Sequence, residues 1–99
     1  MNVTDIIGAI DTLTDTIYKY HINGVNIQLE YLDDLRNILA DNITLSERKK
    51  IAIYQSLFPP HGGLSEINYW NDNFEVRKQV NTRISNNTTI LANFLLGNK

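Results

Sequence analysis

Two histidines, His21 and His61, are the residues of this chain best suited to metal binding or proton transfer. Neither has an acidic residue three or four positions on, and a metal site needs several such donors converging at ligand spacing. They fall in separate predicted loops, where two solvent-touching imidazoles are expected. Asp11/Asp15 and Asp33/Asp34 are paired carboxylates. General acid–base work needs a carboxyl group whose pKa is shifted by its surroundings, and these pairs sit on the polar sides of amphipathic segments. Asp11 and Asp15 are like charges one turn apart, mildly unfavourable unless a cation lies nearby. That points to a cationic partner or a neighbouring basic side chain. Arg48-Lys49-Lys50 is the only basic run. Nucleic-acid surfaces combine such runs with a general basic excess and interleaved aromatics, so a solvated helix face is expected instead.

Gly62-Gly63 does not make a phosphate loop, which carries Gly-x4-Gly-Lys-Ser/Thr after a strand. Here the glycines follow Pro59-Pro60-His61 and precede Leu64, with no lysine. No nucleophile elbow, dinucleotide fingerprint or zinc-protease helix motif occurs. The expectation is a protein that is not an enzyme, with no catalytic residue, cofactor or metal.

The stretch with most to say is Leu57 to Ser65 (Leu-Phe-Pro-Pro-His-Gly-Gly-Leu-Ser), running into Tyr69-Trp70. Proline fixes φ and glycine permits conformations other residues avoid, so a shaped loop is specified. Leu64, Ile67, Tyr69 and Trp70 can fold back and plug one end of the molecule. Alternatively, the loop offers an aromatic anchor to a partner, because Trp and Tyr concentrate binding energy at interface centres. Both can hold, with Trp70 buried and His61 or Pro60 presented. Pro59, Pro60, His61, Gly62, Gly63, Leu64, Tyr69 and Trp70 are therefore the candidate partner-binding residues. Residues 57–75 resemble a segment of small uncharacterised bacterial proteins. In it Leu-Phe-Pro-Pro-x-Gly-Gly-Leu-Ser is followed by an acidic residue, a Trp and an Asp-x-Phe-Glu helix start, here Glu66, Trp70 and Asp72 to Glu75. The resemblance covers about a fifth of the chain. It implies a shared fold element and brings no activity with it; the variable x position is His61.

The elements that must position this loop follow from apolar spacing. Val3, Ile6, Ile10, Leu13, Ile17 and Tyr20 recur at helical steps, closed by Asn23-Gly24. A second helix starts near Asn26 as N-cap, buries Tyr31, Leu32, Leu35, Ile38 and Leu39, and closes at Asp41-Asn42. A third opens on a Thr44–Glu47 capping box, carries Ile51, Tyr54, Leu57 and Phe58, and stops at Pro59-Pro60. Asp72 with Glu75 is a candidate cap for a fourth. Its stripe of Val76, Val80, Ile84, Leu91 and Leu95 lapses at Asn86, Asn87 and Thr88 and ends at Gly97. About 25 residues would span roughly 37 Å, against roughly 26 Å for the first helix. A kink, a break or a protruding tail is expected at the lapse. Ile90, Leu91, Phe94 and Leu95 crowd the last turns more densely than one stripe hides, a pattern of oligomer contacts.

Ninety-nine residues make one domain, residues 1–99. Apolar residues at 42% and charged residues at 20% are those of a globular chain. There are no cysteines and the net charge is −2. No apolar run is long enough for a membrane span. The first residues lack the basic-then-apolar order of a secretion signal, and a cytoplasmic protein is expected. Thirteen asparagines and thirteen isoleucines, both written by A/T-rich codons, point to a low-G+C bacterium or phage. The fold expected is an all-α, four-helix bundle, mainly antiparallel, with the long Pro/Gly loop between helices three and four. The function expected is protein binding, in its most specific form a small immunity or inhibitor protein that occludes a toxin or enzyme. A self-associating structural or regulatory protein is the alternative, and neither nucleic acid nor membrane is expected as partner.

Overall fold

The computed structural model describes residues 2–97. Helix α1 spans Val3–Lys19. Asn2 caps it: its side chain accepts from the Asp5 N–H at 2.9 Å, while the Asp5 carboxylate accepts from the Asn2 N–H at 3.4 Å. Two otherwise orphaned donors are thus satisfied reciprocally. Ile6, Ile10, Leu13 and Ile17 are buried as their spacing requires, together with Ala9 and Thr16. The helix ends before Asn23-Gly24, because His21 adopts a left-handed φ of 53°. The Ile22 N–H then donates to the Ile17 carbonyl at 3.0 Å and that of His21 to Tyr18 at 3.3 Å. This reverse-turn closure usually uses glycine.

Helix α2 runs Asn26–Ala40. Asn26 is its first residue, not its cap. The N-cap position belongs to Val25, which makes no side-chain cap bond and is buried. Packing wins over capping there. Leu32, Leu35 and Leu39 face inward with Gln28, but Tyr31 is 40% exposed and Ile38 half-buried, at the flank of the stripe. Asn42, at φ 58°, closes the helix as His21 closes α1, with Ile43 N–H donating to the Ile38 carbonyl at 3.1 Å.

Helix α3 is Glu47–Leu57. Its cap is Ser46, whose Oγ accepts from the Lys49 N–H at 3.1 Å, and not Thr44. Ile53 and Leu57 are buried; Ile51 is 48% exposed. Ile51 and Leu57 lie six residues apart, about 240° around the axis at 100° per residue, so both cannot face inward. Helix α4, Phe74–Leu96, is capped by Asn73 and not Asp72, with Asn73 Oδ1 accepting from Val76 N–H at 3.2 Å. It runs unbroken through Asn86–Thr88, correcting the expected break. The Asn87 side chain donates to the Arg83 carbonyl at 2.8 Å and Thr88 Oγ1 to Ser85 at 3.0 Å. These residues spend their polar groups on the helix's own carbonyls, and Leu91 and Leu95 resume the stripe.

The helices pack in a ring, α1 against α2, α2 against α3, α3 against α4 and α4 against α1, the last contact broadest and α2–α3 narrowest. One core runs through all four. Among the described residues no buried side-chain nitrogen or oxygen lacks a hydrogen-bond partner. The 23 residues of α4 exceed the 17 of α1. The first buried residue of α4 is Val80, and the segment between α3 and α4 packs beside this N-terminal end through the Tyr69–Asn81 hydrogen bonds. No described helix is long and apolar enough to cross a membrane.

Candidate functional site

The connecting segment folds back on itself. Gly62 and Gly63 hold φ values of 78° and 76°. A Cβ on Gly63 would sit 2.4 Å from Pro59 Cδ and 2.8 Å from the Leu57 carbonyl oxygen. Only glycine allows the turn to press against the proline ring. Glu66, in a 3₁₀ turn spanning Leu64–Glu66, accepts from the Gly62 N–H at 2.7 Å and ties the turn shut. Leu64 is thereby driven into the core at 1% exposure. Gly63 and Leu64, two of the candidate partner-binding residues, are thus buried within the fold.

Further along, Asn81 of α4 clamps the chain. Its Oδ1 accepts from the Tyr69 N–H and its Nδ2 donates to the Tyr69 carbonyl, both at 2.8 Å. The Tyr69 ring lies 5.1 Å from that of Tyr20 at the end of α1. With Tyr69 half-buried and fixed at backbone and ring, its neighbour Trp70 faces outward and is 69% exposed. The plug is therefore Leu64, Ile67 and Tyr69, without Trp70.

Trp70 has company that sequence reasoning missed. The Arg77 guanidinium carbon lies 4.2 Å from the Trp70 ring centroid and 5.2 Å from that of Phe74. Phe74 is 58% exposed. Arg77 lies three residues after Phe74 on α4, so the two side chains share one face of the helix. The spacing of Trp70, Phe74 and Arg77 at steps of four and three was the available signal. The cation is held between two rings by its attraction for their faces. The one ion pair among the described residues is elsewhere, Arg36 to Asp11 at 2.7 Å, so the guanidinium of Arg77 has no carboxylate partner among them. Pro60 and His61 are exposed, and Pro59 and Gly62 half-buried.

The other candidates resolve differently. Arg36 of α2 answers the Asp11/Asp15 repulsion from within the fold, and its hydrogen bond to Asp11 raises its already high pKa. No group of three or more metal-binding side chains occurs among the described residues. Arg48 and Lys49 are exposed, while the Lys50 ammonium lies 4.7 Å from the Phe94 ring centroid. Leu91 and Leu95 are core residues, with Ile90 and Phe94 half-buried. The core thus takes up two of the four side chains that crowd the end of α4.

Charge is distributed unevenly. Residues 2–41 carry seven acids against two bases, residues 42–97 four against six. The α1–α2 groove, about 730 Å³, is lined by Asp11, Glu30 and Asp33 beside Tyr18 and Arg36. The α2–α3 groove, about 410 Å³, is lined by Tyr31, Leu35, Ile38, Ala52 and Ile53, with Asp34 and Lys49 on its opposite walls. Comparison with protein-family models, with curated proteins and with solved structures yields no match for this chain.

Proposed function

We propose that this chain is a protein-recognition module that acts by being bound, with Trp70, Phe74 and Arg77 as its anchor. In its most specific form it is a bacterial inhibitor or immunity protein that neutralises a toxin or enzyme by covering it. The observation that carries the reading is a tryptophan 69% exposed on a segment clamped by two 2.8 Å hydrogen bonds. Large aromatic and arginine side chains dominate binding energy when a partner desolvates them. A segment already fixed before binding loses little further entropy. The acidic α1–α2 side adds steering toward a basic partner, which raises the association rate more than the affinity.

The test is recovery of a stoichiometric partner with tagged protein from the native host, followed by affinity measurements on variants. Trp70→Ala is expected to cost about 2 kcal/mol, roughly thirty-fold in Kd, and Arg77→Ala a similar amount. Ile43→Ala, an exposed apolar residue in the turn between α2 and α3, serves as the control. A partner whose affinity is indifferent to both Trp70 and Arg77, in variants that remain folded, would refute the assignment.

A further inference from the structure

The α2–α3 groove divides its side chains by size. Its α2 wall carries Tyr31, 40% exposed, and half-buried Ile38. The two lie seven residues apart, two turns along one side of a helix. The α3 wall carries small Ala52 and Ser56 at its surface, with Ile53 buried beneath and Lys49 at its end. The polar atoms of the two small residues are already engaged: Ser56 Oγ donates to the Ala52 carbonyl at 3.1 Å, and the Ser56 carbonyl accepts from Gln28 Nε2 at 3.4 Å. An apolar surface seated over Ala52 and Ser56 strands no donor or acceptor of theirs.

We propose that this groove receives a second copy of the chain, related by a two-fold axis parallel to the helices. The Gln28–Ser56 bond fixes the relative height of the antiparallel α2 and α3. From it, Asp34 lies six residues along α2 and Lys49 seven residues back along α3, about 9 and 10.5 Å in the same direction. Tyr31 and Ala52 lie three and four residues from the same reference, about 4.5 and 6 Å. Rotation about an axis parallel to the helices preserves height and exchanges the two walls. Each Asp34 then meets Lys49 of the other copy, and each Tyr31 fills the space over the other's Ala52 and Ser56. Large meets small and acid meets base, twice over, because a two-fold contact is self-complementary.

Sedimentation equilibrium across low-micromolar to submillimolar concentrations tests this on the full chain, with circular dichroism confirming that each variant folds. The wild type is expected to dimerise. Asp34→Lys or Lys49→Asp alone places like charges at two contacts and weakens the dimer roughly tenfold. The double exchange restores it, and Ala52→Arg abolishes it. A chain monomeric throughout the range overturns the proposal, whether or not another protein occupies the groove. So does a dimer insensitive to the single reversals, or one that the double exchange fails to restore.

Discussion

Gly63 and Trp70 show how one residue sets what the Pro-Gly end presents. Alanine at position 63 would bring a methyl group into the Pro59 ring and the Leu57 carbonyl at a φ of 76°. Gly63→Ala is therefore expected to cost about 2–3 kcal/mol in urea unfolding, with an unchanged slope. Gly97→Ala meets open space at a φ of 74° and is expected to cost only the left-handed strain, about 1 kcal/mol. Leu64 and Trp70 make the complementary pair. Leu64→Ala empties a core site and should lose about 2–5 kcal/mol. Trp70→Ala removes an exposed ring and its contact with Arg77, about 1 kcal/mol at most. As the only tryptophan, Trp70 also reports its own environment. Its emission is expected at water-exposed wavelengths and open to acrylamide quenching. Blue-shifted, protected emission would place the indole in the core after all.

The helices themselves were legible because aliphatic spacing repeats with the helical period, and Ile6, Ile10, Leu13 and Ile17 need nothing else to declare a face. What periodicity does not resolve is a choice among near-equals. Thr44 and Ser46, like Asp72 and Asn73, are interchangeable as caps on propensity; the geometry of the preceding turn selects one. Ser46→Ala is expected to cost about 1 kcal/mol and Thr44→Ala almost nothing, by thermal or urea unfolding. The lapse in α4 misleads for a similar reason, since Asn87 and Thr88 look like a break until their bonds to Arg83 and Ser85 are seen. Exposed Asn86 remains a poor helix former within an unbroken helix. Asn86→Ala should accordingly stabilise by about 0.5 kcal/mol; destabilisation would mean the residue serves a bend. The exposure of Trp70 was beyond local reading altogether, because it depends on Asn81 gripping the Tyr69 backbone twelve residues away.

Across the whole molecule the core is shared unequally. Helix α1 contributes Ile6, Ala9, Ile10, Leu13 and Ile17, whereas α3 contributes only Ile53 and Leu57. A buried aliphatic side chain is worth about 1.5–3 kcal/mol, so α3 can detach at a fraction of the cost of unfolding α1. Its seam with α2 is also the narrowest in the ring. Native-state hydrogen exchange on dilute protein is therefore expected to show α3 amides opening at least about 2 kcal/mol below those of α1. Equal protection in the two helices would mean the bundle opens only as one unit. The proposed second copy settles on this same weak seam, and anything that binds the closed form raises its protection by mass action. Protection in α3 should thus climb with protein concentration while that of α1 stays nearly level. A rise shared evenly by all four helices would place the contact elsewhere on the bundle, and no rise at all would leave the α2–α3 groove open to water.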